Sequence, residues 1–294
     1  KNTIMIKNFK WLLLVSLTFV ACNNDDDVAV EAPLTAGTAN FAKYVALGDS
    51  FAAGYSDGAL FIEGQKGAYP NILSMQFAAA GGSAFNIPFM SDNVGGLVLA
   101  GNVIATQRLY FNGAAPVAVS GTPSTSVTTK ITGPFNNLGV PGAKSYHLVA
   151  AGYGNPAGVA AGLANPYYAR FATSTTSTVL GDAVAQAPTF FSLWIGGNDE
   201  LGYATNGGVP TSQDAVNGND LTPTANFTAA YNALATQLAA NGRKGVVANL
   251  PYVTALPYFT AVPFNAVPLN AATATQLNAG YAQYNGGLVV AQNA

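Results

Sequence analysis

An α/β fold built on a parallel sheet is what this sequence predicts, and three features predict it. Short apolar runs at 43–48, 187–196 and 244–251 are each bounded by small-residue turns, as strands buried on both faces are. Between the second and third lies a helix, 224–242, with Phe227, Tyr231, Leu234 and Leu238 on one face, a Thr start and a Gly stop. Helix and strand thus alternate in the manner of parallel strands joined by crossovers. With 294 residues, 50% of them hydrophobic, the chain has ample material for a large core.

Before the folded part comes a different kind of segment. Lys7 and Lys10 precede an apolar run, Trp11 to Ala21, which ends on Val20-Ala21-Cys22. Residues 1–21 resemble a bacterial lipoprotein signal peptide: positive, then apolar, then a cysteine after small residues. This run of eleven residues falls well short of the about 20 that a bilayer-spanning helix needs. The resemblance implies cleavage before Cys22, lipid attachment there, and an extracytoplasmic protein anchored to the outer membrane or cell surface without spanning it. A buried cysteine in an N-terminal helix is the other reading of Cys22. Residues 22–40, acidic at Asp25 to Asp27 and then small and polar, read as a flexible tether. The acidic run reads equally as an outward-sorting signal or as solvated linker.

Composition narrows the partners. Only 8% of residues are charged and the net charge is −2, so no basic stripe exists to neutralise phosphates, and nucleic acid is not an expected partner. One cysteine cannot close an internal disulfide, and one histidine cannot build a multi-His zinc site. No metal or cofactor is expected.

The folded domain, 41–294, begins near Phe41. In Lys43-Tyr-Val-Ala-Leu-Gly-Asp-Ser-Phe-Ala-Ala-Gly-Tyr55, a strand ends on a small-residue turn that holds Ser50. Gly48 and Gly54 leave room around that serine for a carbonyl to approach, although Gly-Asp-Ser is also an ordinary turn. Residues 69–82 read as a helix, with Pro70 near its start and Gly81 at its end. From Ser83 to Gly133, β-branched stretches at 96–100, 117–119 and 125–132 are broken by Gly and Pro, which predicts inserted loops and short strands. Residues 136–150 give a brief apolar piece, a Pro141-Gly142 turn and a helix. Backbone N–H groups at a strand-to-helix junction are free to meet an anion, which makes Gly142 a candidate oxyanion donor or simply a turn glycine.

Residues 151–184 form a second insertion without a clean period. The run 187–196 then delivers Gly196-Gly197-Asn198-Asp199 at a strand end. The Asn198 amide suits stabilisation of an oxyanion, while Gly-Gly-Asn-Asp alone is a turn cluster. The run 244–251 reads as a further buried strand, and 271–294 begins as a helix with Leu277, Tyr281 and Tyr284 aligned.

Gly-Asp-Ser at 48–50, the turn glycine at 142 and Gly-Gly-Asn-Asp at 196–199, in this order and each at a strand end, resemble the SGNH (GDSL-type) hydrolase family. The likeness runs from about Tyr44 to Pro251 and covers three of that family's four blocks. It implies a three-layer α/β/α domain with a flavodoxin-like parallel sheet. It also implies Ser50 as nucleophile, with Ser50 N–H, Gly142 N–H and the Asn198 side chain as the oxyanion hole. The implied reaction is ester hydrolysis through an acyl-serine, on acyl lipids or acetylated carbohydrates. Two other serine-enzyme signatures fail, since Gly-x-Ser-x-Gly and Ser-x-x-Lys meet Ala52 and Ala53 instead.

The fourth block, Asp-x-x-His, supplies the family's general base, and here it is not found. The single histidine, His147, has Lys144 rather than Asp three residues before it and is expected on a helix surface or in packing. The expectation is a sequence truncated at its C-terminus, as it lacks an initial Met at the other end, with the base beyond Ala294. A non-catalytic surface lipoprotein that binds carbohydrate or lipid on the same fold is the alternative.

Overall fold

The computed structural model describes residues 35–209, 221–262 and 266–293. The signal-peptide reading, Cys22 and the acidic run fall outside them. The described chain contains, in order, strand β1 (Tyr44–Gly48), helices α1 (Ser50–Ala53), α2 (Ile62–Gly67) and α3 (Tyr69–Ala78), strands β2 (Leu97–Leu99), β3 (Asn102–Ala105), β4 (Leu109–Phe111), β5 (Pro116–Ala118) and β6 (Asn137–Gly139). Helices α4 (Pro156–Val159), α5 (Pro166–Ala169) and α6 (Val179–Val184) follow, then β7 (Phe190–Trp194), α7 (Asn198–Thr205), α8 (Thr224–Ala239), β8 (Lys244–Val247), α9 (Pro257–Thr260), α10 (Ala271–Gly280) and α11 (Ala282–Gln292).

Four strands make the central sheet in the order β6-β1-β7-β8, and every pairing is parallel. Counting only these four, the chain runs second, first, third, fourth, which is the flavodoxin-like order the sequence led us to expect. Alternation along β1 sorts its side chains to two faces. Val45 and Leu47 stand level with Phe191 and Leu193 of β7 and pack with Val179, Leu180 and Ala183 of α6 and Leu234 and Leu238 of α8. Tyr44 and Ala46, level with Phe190 and Ser192, face Leu73 and Phe77 of α3 on the other side. The result is helix, sheet, helix.

The α3 face is joined to the start of the fold through aromatic rings. Phe41 stacks on Phe77 with centroids 4.0 Å apart, and the Tyr44 hydroxyl lies 2.6 Å from Ser192 Oγ in the buried layer. Ala39 packs in the same cluster, so ordered packing starts slightly ahead of Phe41.

The insertion at 83–133 holds two small antiparallel hairpins, β2-β3 and β4-β5. The expected strand at 125–132 is instead loop, paired with β2 at the single bridge Val98↔Ser126. The expected helix after Gly142 is one short 3-10 segment, Ser145–Val149. The largest departure is β8: the strand forms, but all four of its residues are exposed. Among the described residues only β7 pairs with it, and α10 and α11 bury no residue. No helix among the described residues is long and apolar enough to cross a membrane.

Candidate active site

Parallel register aligns the carboxyl ends of three neighbouring strands. Gly48 of β1 stands opposite Gly139 of β6 and opposite Trp194 of β7. Ser50, Gly142 and Asn198 follow those ends by two, three and four residues, so all three leave the same edge of the sheet. That edge, at the point where β1 sends connections to both sides, is where open α/β sheets bind ligands.

Ser50 opens α1 and is half-buried. Asp49 caps this helix: its Oδ1 accepts the Phe51 N–H at 3.0 Å, and Asp49 itself is 2% exposed. Burial pushes the Asp49 carboxyl up to about 6, the Phe51 N–H and its own N–H opposing, and the Asp199 carboxylate adding to the rise. The helix turn lies directly on β6. A Cβ on Gly139 would overlap the Ala53 backbone nitrogen, so the strand must carry glycine for α1 to seat.

Gly142 takes a positive φ of 79°, a conformation natural to glycine, at the turn where Ala143 N–H bonds Val140 O at 3.0 Å. The Gly142 N–H donates to no other described residue and the position is exposed. Asn198 is the first residue of α7 rather than the last of a strand, and its Nδ2 donates to Ala143 O at 2.9 Å. The Gly142 turn and the Asn198 side chain are therefore bound to each other.

A second tie comes from Asp199, which sequence reasoning left without a role. It is 5% exposed; its Oδ2 accepts Ser145 N–H at 2.8 Å, its Oδ1 accepts Ser145 Oγ–H at 2.7 Å, and its backbone oxygen accepts Thr222 N–H at 2.9 Å. The Asp199 carboxylate thus ties the loop after β6 to the start of α7, and its backbone oxygen holds the approach to α8. Asp199 stands in the Gly-Gly-Asn-Asp run, but nothing local in the sequence marks Ser145, 54 residues away, as its partner.

Two cavities adjoin this edge. The smaller, about 100 Å³, is lined by Ser50, Phe51, Trp194, Asn198, Leu201 and Leu250 among others. Its wall is made firm by Phe51 stacked on Trp194, with centroids 5.1 Å apart and planes 15° apart. The larger, about 660 Å³, is lined by Gly142, Tyr146, His147, Tyr153, Asn165 and again Asn198 and Leu201. Asn198 and Leu201 are the shared wall.

His147 lies on the larger cavity. Its Nδ1 accepts the Lys144 N–H at 3.0 Å, which leaves the proton of a neutral ring on Nε2, and its ring stacks on Tyr153 at 4.4 Å. Ser50 Oγ makes no hydrogen bond with any described residue, so His147 is not bonded to it, in keeping with the packing role. Neither family models, characterised proteins nor solved structures give a match to this chain.

Proposed function

We propose that the protein is a carboxylic-ester hydrolase in which Ser50 attacks the ester carbonyl and forms an acyl-serine. The observation that carries this reading is the level alignment of β6, β1 and β7, which sends Ser50, Gly142 and Asn198 from one sheet edge. The N–H groups of Ser50 and Gly142 donate to no described residue, and the Asn198 amide has a second hydrogen beyond the one given to Ala143. Those three donors would stabilise the tetrahedral oxyanion. In the SGNH hydrolases that the motifs resemble, the general base is the histidine of an Asp-x-x-His block, and His147, the one histidine of this sequence, is not bonded to Ser50.

The two cavities support one of the two expected substrate classes. The small apolar one beside Ser50 suits a short acyl group, and the wide one lined by Tyr146, Tyr153 and Asn165 suits a bulky polar alcohol such as a sugar. Acetylated carbohydrate is the substrate this favours over a long-chain acyl lipid. Anchoring to the outer membrane or cell surface through a lipid on Cys22 belongs to the same proposal.

The test is ester release by the full-length natural protein on p-nitrophenyl acetate and octanoate. Acetate is expected to be the better substrate, Ser50→Ala to abolish release, and Asn198→Ala to lower kcat by about 10² to 10³. Release by Ser50→Ala at the unsubstituted rate would end the proposal. The His147 ring stacked on Tyr153, with Tyr146 tilted against it, also favours a second reading, a non-catalytic carbohydrate-binding lipoprotein. Glycan binding by the natural protein with no ester release would select it.

A further inference from the structure

Hairpin β4-β5 presents large apolar side chains to solvent on both of its faces. Leu109 stands opposite Ala118, Tyr110 opposite Val117 and Phe111 opposite Pro116. Side chains alternate across a strand, so Leu109, Phe111, Pro116 and Ala118 share one face and Tyr110 and Val117 the other. Leu109, Tyr110 and Phe111 are 39%, 49% and 68% exposed. Among the described residues the two strands pair only with each other, and a two-stranded hairpin alone is marginally stable in water. Such a surface calls for a partner.

Three features indicate which partner. The first is charge. Residues 109–118 carry none, and from 93 to 181 the chain holds Arg108, Lys130, Lys144 and Arg170 but no Asp or Glu. Arg108 immediately precedes β4, so a cation stands at the foot of the hairpin, where lipid phosphates would meet it. Asp57, whose backbone oxygen accepts the Leu109 N–H at 2.7 Å, is at that foot and not at the tip. The second feature is the turn. Backbone groups carried into an apolar phase have to be satisfied internally. Asn112 does this: its N–H donates to Ala115 O at 3.1 Å, and its Oδ1 accepts the N–H groups of Ala114 and Ala115, both at 2.9 Å. The third is the pair of apolar faces itself. A flat protein surface would cover one of them, whereas a lipid layer surrounds both.

We propose that the tip of hairpin β4-β5 inserts into the interfacial layer of a lipid bilayer, with Tyr110 and Phe111 as its anchors. Tyrosine suits that depth because its ring meets the apolar side and its hydroxyl the wet side. Cys22 precedes Thr35, the first described residue, by thirteen positions, and that length of chain spans at most about 45 Å. A lipid on Cys22 would therefore keep the body near the bilayer, and the hairpin would be its second contact. The proposal draws on the Cys22 anchor and is independent of ester hydrolysis.

The test is the fluorescence of the full-length protein carrying Phe111→Trp, in vesicles of phosphatidylethanolamine and phosphatidylglycerol with brominated acyl chains. Above the background of Trp194, emission from position 111 should shift to the blue and be quenched. Bromines near the headgroups should quench more than bromines at the chain ends, because interfacial elements sit about 5–10 Å deep. With the reporter moved to Tyr110→Trp, adding Phe111→Ser should lower the ratio of inserted to withdrawn hairpin about tenfold or more. The lipid on Cys22 is read separately, from the mass of the N-terminal peptide, so quenching without that lipid would leave the hairpin contact standing and remove only the anchor. Aqueous emission from position 111 in vesicles, with or without the lipid, would overturn the proposal. So would a blue shift of equal size in the absence of vesicles, as a protein partner or a second copy of the chain gives.

Discussion

Strands β7 and β8 are neighbours in one sheet and both carry apolar side chains, yet four of five residues of β7 are buried and all four of β8, Lys244 among them, are exposed. The difference lies in their surroundings. β7 has a strand on each edge, and its two faces meet α6 and α8 on one side and α3 on the other. Among the described residues β8 has one neighbour, and Val246 and Val247 stay 55% and 47% exposed. An apolar run therefore reports that a segment can be buried, while burial itself is conferred by elements distant in sequence. The sharpest way to break this contrast is truncation on the covered side. Leu47→Ala, at a fully buried position of β1 that packs with Leu193, should cost about 2–5 kcal/mol in denaturant unfolding. A cost below about 1 kcal/mol would mean that the core is not where the structure puts it.

The covered part of the sheet also ends on a buried carboxyl, Asp49 after β1, and β8 has no such group at its carboxyl end. Asp49 has a folded pKa of about 6, above its ordinary 3.8, so folding favours its protonated form. The stability it contributes is full below about pH 4 and is lost as pH rises through about 6, a change of about 3 kcal/mol. Asp49→Asn keeps an oxygen for the Phe51 N–H and removes the charge. Unfolding free energies from pH 3.5 to 7.5 should therefore fall across that window in the natural protein and run flatter in the variant. At β8 the comparable residue, Asn249, is exposed and uncharged and should give no such difference on Asn249→Ala.

What the sequence discloses about these regions follows from the range of the interactions involved. β1, β7, α3 and α8 were legible because their periodicity and their stop signals are local. Ser50, Gly142 and Asn198 were legible as motifs, and their common sheet edge followed from strand order alone. The clasp of Asp199 on Ser145 was not, because its two halves are 54 residues apart. Nor was the short 3-10 segment at 145–149, since the backbone there is held by Asp199 and not by its own propensity. The exposure of β8 was illegible for the same reason in reverse: its side chains do not record what fails to cover them.

Two substitutions in β8 refine the comparison further. Gly245 stands level with Phe191, whose ring lies 2.6 Å from where a Cβ would be. Gly245→Ala forces that ring to move and should destabilise by about 1–3 kcal/mol, even though Gly245 itself is exposed. β8 thus matters to the core through the space it leaves, not through what it buries.

Val247→Thr is the complementary change and the smallest expected effect. Val247 stands level with Leu193, whose backbone O accepts the Ala248 N–H at 3.0 Å, a β-branched threonine suits the same strand backbone, and the Val247 side chain is 47% exposed. The swap places a hydroxyl where water can reach it, so no desolvation cost arises, and the unfolding free energy should shift by no more than about 0.5 kcal/mol. Were the same change to cost about 2 kcal/mol, Val247 would be covered in solution by an element packed on β8, and the contrast between the two neighbouring strands would vanish. The same experiment on Leu193→Thr, fully buried in β7, should cost several-fold more, so the ratio of the two values measures coverage directly.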